Sequence, residues 1–506
     1  MAALAALNAA YYCWLLAAIV DTVDSTRVGE MAEFMRLFLT PEVLLLACAL
    51  VLLLGSSFCS SLKLFKWADI ALIGIGLVFL STFIIPSYTP PSWAFLYVAD
   101  GVAFFFKRFF LIAAGVTCFI AREHPVGRRG EFFVLILMAT IGMSLTASAA
   151  DFIMLFVALE LVTVSFYILV SSQRNSAAAL EAGVKYLVMG ALSTAFLAYG
   201  IALLYGTFKT TFFSVIAMHL ELLPKDESVL FPLLFIVAGL AFKIAAVPFH
   251  SWAADTYQGA PTPVSAFLSI GSKAAGFAAF LRVFYFNAFG VEELRQVLGI
   301  LLAALAIGSV VLGSFAALPQ RSLKRLLGYS SIANTGFLLM ALSCFTDRGA
   351  HAVFFYLCAY LLAVALAFCL IAALEKVLGG DDLRNYAGLA QRSPSLAFAM
   401  LIAMSSLAGI PPLIGFFAKL DIFISVLETG RYGLLFTGVA CAVMGLYYYL
   451  NIARWMYGTE TVDAKPISLS LPSTFLILLL TSGIIILGIW PTPILLVISL
   501  VLAPFH

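Results

Sequence analysis

Residues 242–275 read FKIAAVPFHSWAADTYQGAPTPVSAFLSIGSKAA. Two apolar runs meet in this stretch, one over 230–249 and one over 262–286. Each is about the ~20 residues that a helix needs to cross a hydrocarbon core. Each also holds a lysine away from its ends, Lys243 in the first and Lys273 in the second. Pro248 follows Lys243 by five residues. A proline removes one intrahelical hydrogen bond and frees a carbonyl. A cation at mid-membrane depth costs at least ~2.5–3.5 kcal/mol on insertion scales, so it faces protein or water and marks a functional position by default.

Working outward, the same kind of apolar run fills most of the 506-residue chain, which is 63% hydrophobic and 11% charged. Soluble domains carry roughly 25% charged residues, so this chain lacks the polar surface to cover a water-exposed globule. The runs predict fourteen spans, at about 41–58, 67–86, 102–121, 131–148, 150–171, 181–206, 230–249, 262–286, 296–317, 324–343, 350–378, 395–428, 432–457 and 472–502. Runs of this length in lipid satisfy their own backbone only as helices, and the ~10-residue alternating segments of a barrel are absent. The expected fold is an all-α polytopic membrane protein of about 14 transmembrane helices. Its last span is interrupted at Pro491 and Pro493. Residues 1–40 are expected to be an N-terminal extension of unknown role; its Ala2–Val20 segment is apolar, with no Lys or Arg in front of it to make a signal peptide. Residues 207–229 make the longest loop, with an interfacial stretch at Thr211–Leu223.

Lysine and arginine asymmetry orients the spans. Loops after odd-numbered spans hold Lys63, Lys66, Arg122, Arg128, Arg129, Arg174, Arg321, Lys324, Arg325, Lys376, Arg384, Arg392, Arg454 and Lys465. Loops after even-numbered spans hold only Lys209, Lys225, Arg295, Arg348 and Arg431. Odd loops are therefore expected on the cytoplasmic side. A net charge of +2 gives no reason for a nucleic-acid partner. The eight cysteines are scattered without CxxC or Cys/His spacing, and no phosphate-binding glycine loop occurs. No cofactor, metal or redox centre is expected in this chain.

Besides Lys243 and Lys273, Glu160 and Lys419 also fall near the middle of spans, in LFVALELVTVSFYIL and LAGIPPLIGFFAKLDIF. Lys185 lies about one turn into span 6, four residues after Glu181, and His250 follows the Pro248 break. Plainer readings exist. Glu181 and Lys185 fit an ordinary interfacial ion pair, Glu160 and a lysine fit a static buried pair, and His250 fits a partner for carbonyls freed by the proline. One carboxylate, however, cannot neutralise three mid-membrane lysines. Burial disfavours the ammonium and a nearby carboxylate favours it, so moving either partner changes how firmly a proton is held. A row of such groups joined by water is a proton relay. Helix breaks support this, because Pro411–Pro412 precede Lys419 as Pro248 follows Lys243. Broken helices in matching positions of two repeats line transport sites. Spans 4–8 and 9–13 would be those halves. Span 10 offers Ser330 and Ser331 where Glu160 would fall, and span 13 has Tyr447, Tyr448 and Tyr449 but no match for Lys273. The tyrosines read as packing or interface groups.

The stretches EAGVKYLVMGALS (181–193), FKIAAVPFHSWAADTYQGAPTPVSAFLSIGSKAA (242–275), LKRLLGYSSIANTGF (323–337) and SLAGIPPLIGFFAKL (406–420) resemble the antiporter-like membrane subunits of respiratory complex I, the subunit N type (subunit 2 in mitochondria) above all. The resemblance covers about 41–500. It implies two inverted five-helix repeats with broken helices at spans 7 and 12. The corresponding division is helices 1–3 over 41–130, repeats over 131–290 and 291–458, and a C-terminal helix over 459–506. It also implies a proton relay of Glu160, Lys185, Lys243, Lys273, His250 and Lys419, the last at the exit half-channel. NADH, FMN, iron–sulfur clusters and quinone would belong to partner subunits, with subunits of the K and M types and the lipid bilayer as neighbours. Lys419 in place of a glutamate disfavours the M type, and the long clamping helix of the L type is not expected. The resemblance implies a bacterial cell (inner) membrane, an organelle inner membrane or a thylakoid. Multisubunit Na⁺/H⁺ antiporters and membrane-bound hydrogenases carry related subunits and supply the alternative function. A pure scaffold is the third reading.

Overall fold

The computed structural model describes residues 40–58, 67–84, 96–222, 229–286, 292–458, 467 and 469–505. The expected N-terminal extension lies outside the described residues but for Thr40. The helices are α1 (Pro41–Phe58), α2 (Trp67–Ile84), α3 (Gly101–Ala121), α4 (Gly130–Ala147), α5 (Phe152–Val170), α6 (Ala177–Phe208), α7 (Phe213–Leu222), α8 (Leu230–Lys243) and α9 (Ala253–Gly259). They continue as α10 (Thr262–Phe286), then α11 (Glu292–Ala317), α12 (Leu323–Ser343), α13 (Asp347–Leu378), α14 (Pro394–Ala408), α15 (Ile414–Glu428), α16 (Tyr432–Gly458), α17 (Leu471–Ile489) and α18 (Thr492–Leu502).

Among the described residues, twelve of these are long and apolar enough to cross a membrane. They coincide with twelve of the fourteen expected spans, the last of which ends at Ile489 and resumes as the separate helix α18. The two that fall short are spans 7 and 12, because each is broken: α8 ends at Lys243 and the chain resumes as α9 beyond the expected end of span 7, while α14 and α15 share span 12. The long loop holds α7 at the place of the expected interfacial stretch. Polar residues set the helix starts. Asp100, Asp151, Ser176, Ser322, Thr346 and Ser470 each accept a backbone N–H at an N-cap, satisfying donors that a helix start leaves free.

Both breaks use one device. At the end of α8, Ala246 N donates to Ala241 O (2.9 Å) and Ala245 N to Phe242 O (2.9 Å). At the end of α14, Ile410 N donates to Ser405 O (2.9 Å) and Gly409 N to Ser406 O (3.1 Å). These paired bonds close a helix through one left-handed residue. That residue is Gly409 (φ +84°) in the second break but Ala245 (φ +58°) in the first, where a Cβ makes the conformation strained.

The core gathers around α10, which is buried from Thr262 to Phe284, and α12, which is buried nearly throughout. The outer helices α1, α2 and α17 keep side chains such as Leu50, Leu54, Leu77 and Leu478 exposed, as a lipid-facing surface requires. One buried ion pair was not anticipated. Lys107 on α3 is 0% exposed, and its Nζ lies 3.0 Å from Glu42 Oε1 on α1. Tyr97 completes the cluster, donating to Glu42 Oε2 (3.2 Å) and accepting from Lys107. Breaking a buried pair strands the remaining charge, at about 3–5 kcal/mol. Lys107→Met should therefore lower the thermal midpoint of the assembled protein markedly. Adding Glu42→Leu should recover most of the loss, and an unchanged midpoint in the single variant would show that the pair holds nothing together.

Candidate functional site

Lys243 is the last residue of α8, where the helix dipole favours a cation. Its Nζ lies 3.3 Å from Glu160 Oε1 on α5 and donates to Thr163 Oγ1 (2.5 Å), one turn along the same helix. Thr194 on α6 donates to the same Glu160 oxygen (2.7 Å). The lysine side chain is 4% exposed and the glutamate 24%, so the pair stands at the edge of the core.

The break beyond Lys243 is held by side chains from elsewhere. Trp252 Nε1 donates to Phe242 O (3.3 Å), and Thr335 Oγ1 on α12 donates to Ile244 O (2.7 Å). The same Thr335 hydroxyl lies 3.1 Å from Ser331 O. Lys273 reaches that serine from α10, donating to both its carbonyl and its hydroxyl. Lys273 follows a π-helical stretch, Leu268–Ser272, of the kind often found at functional positions. Ser331, Thr335 and the Ile244 carbonyl thus link the surroundings of Lys273 to those of Lys243. Tyr257 OH (3.1 Å) also meets the Ser331 hydroxyl, and Ser269 meets Tyr360 OH (3.0 Å). A branch leaves Ser330 through Tyr449, Asn334 (3.4 Å) and Tyr356, which donates to Asn334 (2.7 Å). The three consecutive tyrosines therefore differ: Tyr447 is 64% exposed, whereas Tyr449 is buried and bonded to Ser330.

Lys419 on α15 donates to Leu407 O (2.7 Å) and Ala408 O (3.1 Å), carbonyls at the end of α14, and lies over the Phe337 ring at 5.1 Å. Gly409 belongs to this arrangement, because a Cβ there would lie 3.0 Å from Lys419 Cδ. Among the described residues, no side-chain hydrogen bond joins Lys419 to the Ser331 cluster. Lys185 is also apart from the buried line. Its side chain is 44% exposed, pairing with Glu181 (2.8 Å) and with Asp255 (2.7 Å), which also binds Arg325 (2.5 Å). His250 lies between α8 and α9, and its buried Nδ1 has no hydrogen-bond partner of good geometry among the described residues.

The Lys185 cluster opens into a polar cavity lined by residues such as His124, Glu181, Asp255, Lys324, Arg325 and Glu375. These come from the ends of helices joined by odd-numbered loops, so the cavity occupies one face of the molecule.

The profile of one family, described as NADH:quinone oxidoreductase/Mrp antiporter, TM, matches residues 149–445, the segment that carries Glu160, Lys185, Lys243, His250, Lys273 and Lys419. The chain belongs to the NADH:quinone oxidoreductase/Mrp antiporter family. NADH-quinone oxidoreductase subunit N of Desulforamulus reducens is 40% identical over 401 residues, covering 79% of this chain and 83% of that protein. The subunit N of Parvibaculum lavamentivorans is 38% identical over 478 residues, covering 93% and 97%. Among solved structures, a chain of respiratory complex I from Thermus thermophilus with bound Aureothin superposes with a TM-score of 0.76 at 32% identity, over 90% of this chain and 98% of that one.

In this family member, sequence reading found the charged groups and missed the neutral ones that join them: Thr163, Thr194, Thr335, Tyr257 and Tyr360. Only the i, i+3 spacing of Glu160 and Thr163 offered a signal. It also missed Asp255, which takes Lys185 beyond a simple i, i+4 pair.

Outside the membrane segments, His124 has a testable signature. Burial pushes its ring from the usual 6.5 down to about 4; Glu375 opposes this, while Lys376 and Lys324 add to it. The unfolded chain thus binds a proton at a pH where the folded chain does not, so this group removes stability as pH falls from about 6.5 toward 4 and has no effect above that window. His124→Gln should flatten the loss of thermal midpoint across that window, and parallel midpoint curves for the two proteins would contradict the assignment.

Proposed function

We propose that this chain is the proton-translocating subunit N of an NADH:quinone oxidoreductase, a membrane-arm component that couples electron transfer in other subunits to proton movement. The observation that carries this reading is the Glu160–Lys243 pair at a helix break, in a chain 38–40% identical over most of its length to subunit N proteins. Lys243, buried beside Glu160, Thr163 and the end of α8, holds its proton against a counter-charge. Displacing Glu160 strands the ammonium, and the neutral amine becomes the lower-energy state. Thr335 and Ser331 stand between the first break and Lys273, and water joining Lys243 to them would complete the path. Lys419, held on the carbonyls of the second break, serves as the outlet. Lys185 and His250 act at the approaches, one on the polar cavity and one beside the first break.

The two halves are 131–290 and 291–458, inverted repeats that each contribute one broken helix, preceded by three helices over 41–130 and followed by 459–506. NADH, FMN, iron–sulfur clusters and quinone are held by partner subunits, and the membrane neighbours are of the K and M types. The membrane is the bacterial cell (inner) membrane, with odd-numbered loops on the cytoplasmic side.

Lys243→Ala in the assembled complex should cut proton pumping and coupled quinone reduction several-fold in proteoliposomes, with assembly retained. Lys243→Arg should also fail, because a guanidinium keeps its charge but does not exchange its proton. Wild-type pumping by either variant would remove Lys243 from the mechanism.

A further inference from the structure

A groove on the odd-loop face lies outside the relay and holds two cations without counter-charges. It encloses about 1850 Å³ of open space between the start of α4 and the end of α5. Arg129 stands at the N-cap of α4 and Arg174 in the turn after α5, and both line the groove. Arg122, Lys185, Lys324 and Arg325 on the same face each have a carboxylate partner. Among the described residues, Arg129 and Arg174 form no ion pair.

Two further features suit this groove to an anion. No side chain caps the start of α4, so its first N–H groups and the positive end of its dipole stay uncompensated. The Ser172 hydroxyl in the wall is buried and has no partner among the described residues. Glu131 also lines the groove, so two guanidinium groups and one carboxylate leave a single positive charge, the counterpart of one phosphodiester. Below these groups the walls turn apolar. Phe132 and Leu135 follow Arg129 at spacings of three, on one face of α4. On the α5 side Ile168 begins an exposed stripe that continues through Val164 and Val157. At a rise of about 1.5 Å per residue the stripe runs ~16 Å, close to half of a ~30 Å hydrocarbon core. A free inorganic anion would use the cations and leave the stripe bare, and a neutral apolar molecule would do the reverse.

We infer that this groove binds one anionic phospholipid of the odd-loop leaflet, with its phosphate between Arg129 and Arg174 and an acyl chain along Ile168, Val164 and Val157. Basic pockets between membrane helices bind acidic lipid headgroups in this way, and a guanidinium offers a phosphate two parallel N–H donors. The lipid's single negative charge balances the groove, and its apolar tail covers side chains that would otherwise need another neighbour. The site shares no residue with the proposed proton relay, so the two readings stand or fall separately.

The test exposes the assembled complex, purified in detergent, to phosphatidylglycerol carrying a photoreactive diazirine in its acyl chain, and locates the adducts by peptide mass spectrometry. Adducts are expected along 157–168 of α5 and at 132–135 of α4. Excess unlabelled phosphatidylglycerol should remove them, whereas phosphatidylcholine and inorganic phosphate should not. Arg129→Gln combined with Arg174→Gln should lower labelling of these segments several-fold, and Arg129→Lys with Arg174→Lys should restore part of it. If the glutamine variant does not assemble, competition in the wild-type complex decides. Equal competition by phosphatidylcholine would show a groove indifferent to headgroup charge and overturn the inference, as would labelling that survives removal of both arginines. Displacement by inorganic phosphate would mark a free-anion site and overturn the lipid assignment. An absence of adducts on both segments would overturn it outright.

Discussion

An ammonium group taken out of water has to find its solvation in the protein, and the arrangement of the core follows from that demand. Lys243, Lys273 and Lys419 are each 6% exposed or less, and each meets the demand differently. Lys243 has a carboxylate and a hydroxyl. Lys273 has one serine, offering its hydroxyl and its carbonyl together. Lys419 has two helix-end carbonyls and an aromatic face. Only the first is a true ion pair. The others are held by dipoles, which is how three buried lysines coexist with a single mid-membrane carboxylate. Another buried lysine, Lys107, has its own carboxylate, Glu42, and the Tyr97 hydroxyl, which keeps it out of competition for Glu160.

For Lys419 the helix break supplies those dipoles, whereas Lys273 finds its own on the unbroken α12. Carbonyls inside a helix already accept from the next turn, so helix ends offer the freest acceptors. Ending α8 and α14 inside the protein releases carbonyls at a depth where no water replaces the lost bonds. The two breaks use them in opposite senses. In the first, the lysine ends the helix and hydroxyl and indole donors from other segments take the carbonyls of Phe242 and Ile244. In the second, the lysine comes from the following half-helix and takes the carbonyls itself. Thr335 matters because it anchors the first break while touching the serine that holds Lys273. A shift of the break would be felt at both lysines.

Much of this was legible beforehand, and the boundary of legibility is physical. Span positions follow from the length of apolar runs, so α4, α5 and α12 fall within two residues of expectation. The breaks follow from Pro248 and Pro411–Pro412, and the charges announce themselves because apolar surroundings make them conspicuous. Hydroxyls do not. A serine or threonine in a membrane helix normally satisfies itself on its own preceding turn, as Thr140 does with Ile136 O (2.8 Å) and Thr163 with Leu159 O (2.6 Å). Nothing local distinguishes those from Thr335, which crosses to another helix. Lys107 escaped notice because it lies only six residues into α3 and Glu42 in the first turn of α1, so both read as interfacial. Their burial depends on the packing of α1 against its neighbours, which no local pattern encodes.

Sidedness is the remaining consequence of the packing. On the even-loop side, the last turn of α10 carries Arg282, whose guanidinium forks onto Asp100 (2.5 and 2.7 Å) and donates to Ala147 O (2.7 Å). A bidentate pair of this kind is among the stronger contacts available to a protein, and here it ties the end of α10 to the cap of α3 and the end of α4. Between it and Lys273 stand only alanine, glycine, phenylalanine and leucine. The helix α10 is thus lined with polar side chains toward the odd-loop face and with apolar ones toward the Arg282 clamp. The polar neighbours of Lys273 lie sideways, in α12 and beyond it in α13 and α16. Under the proposed relay, the exchange partners of Lys273 among the described residues are in the helices beside α10, and none lies along α10 toward Arg282.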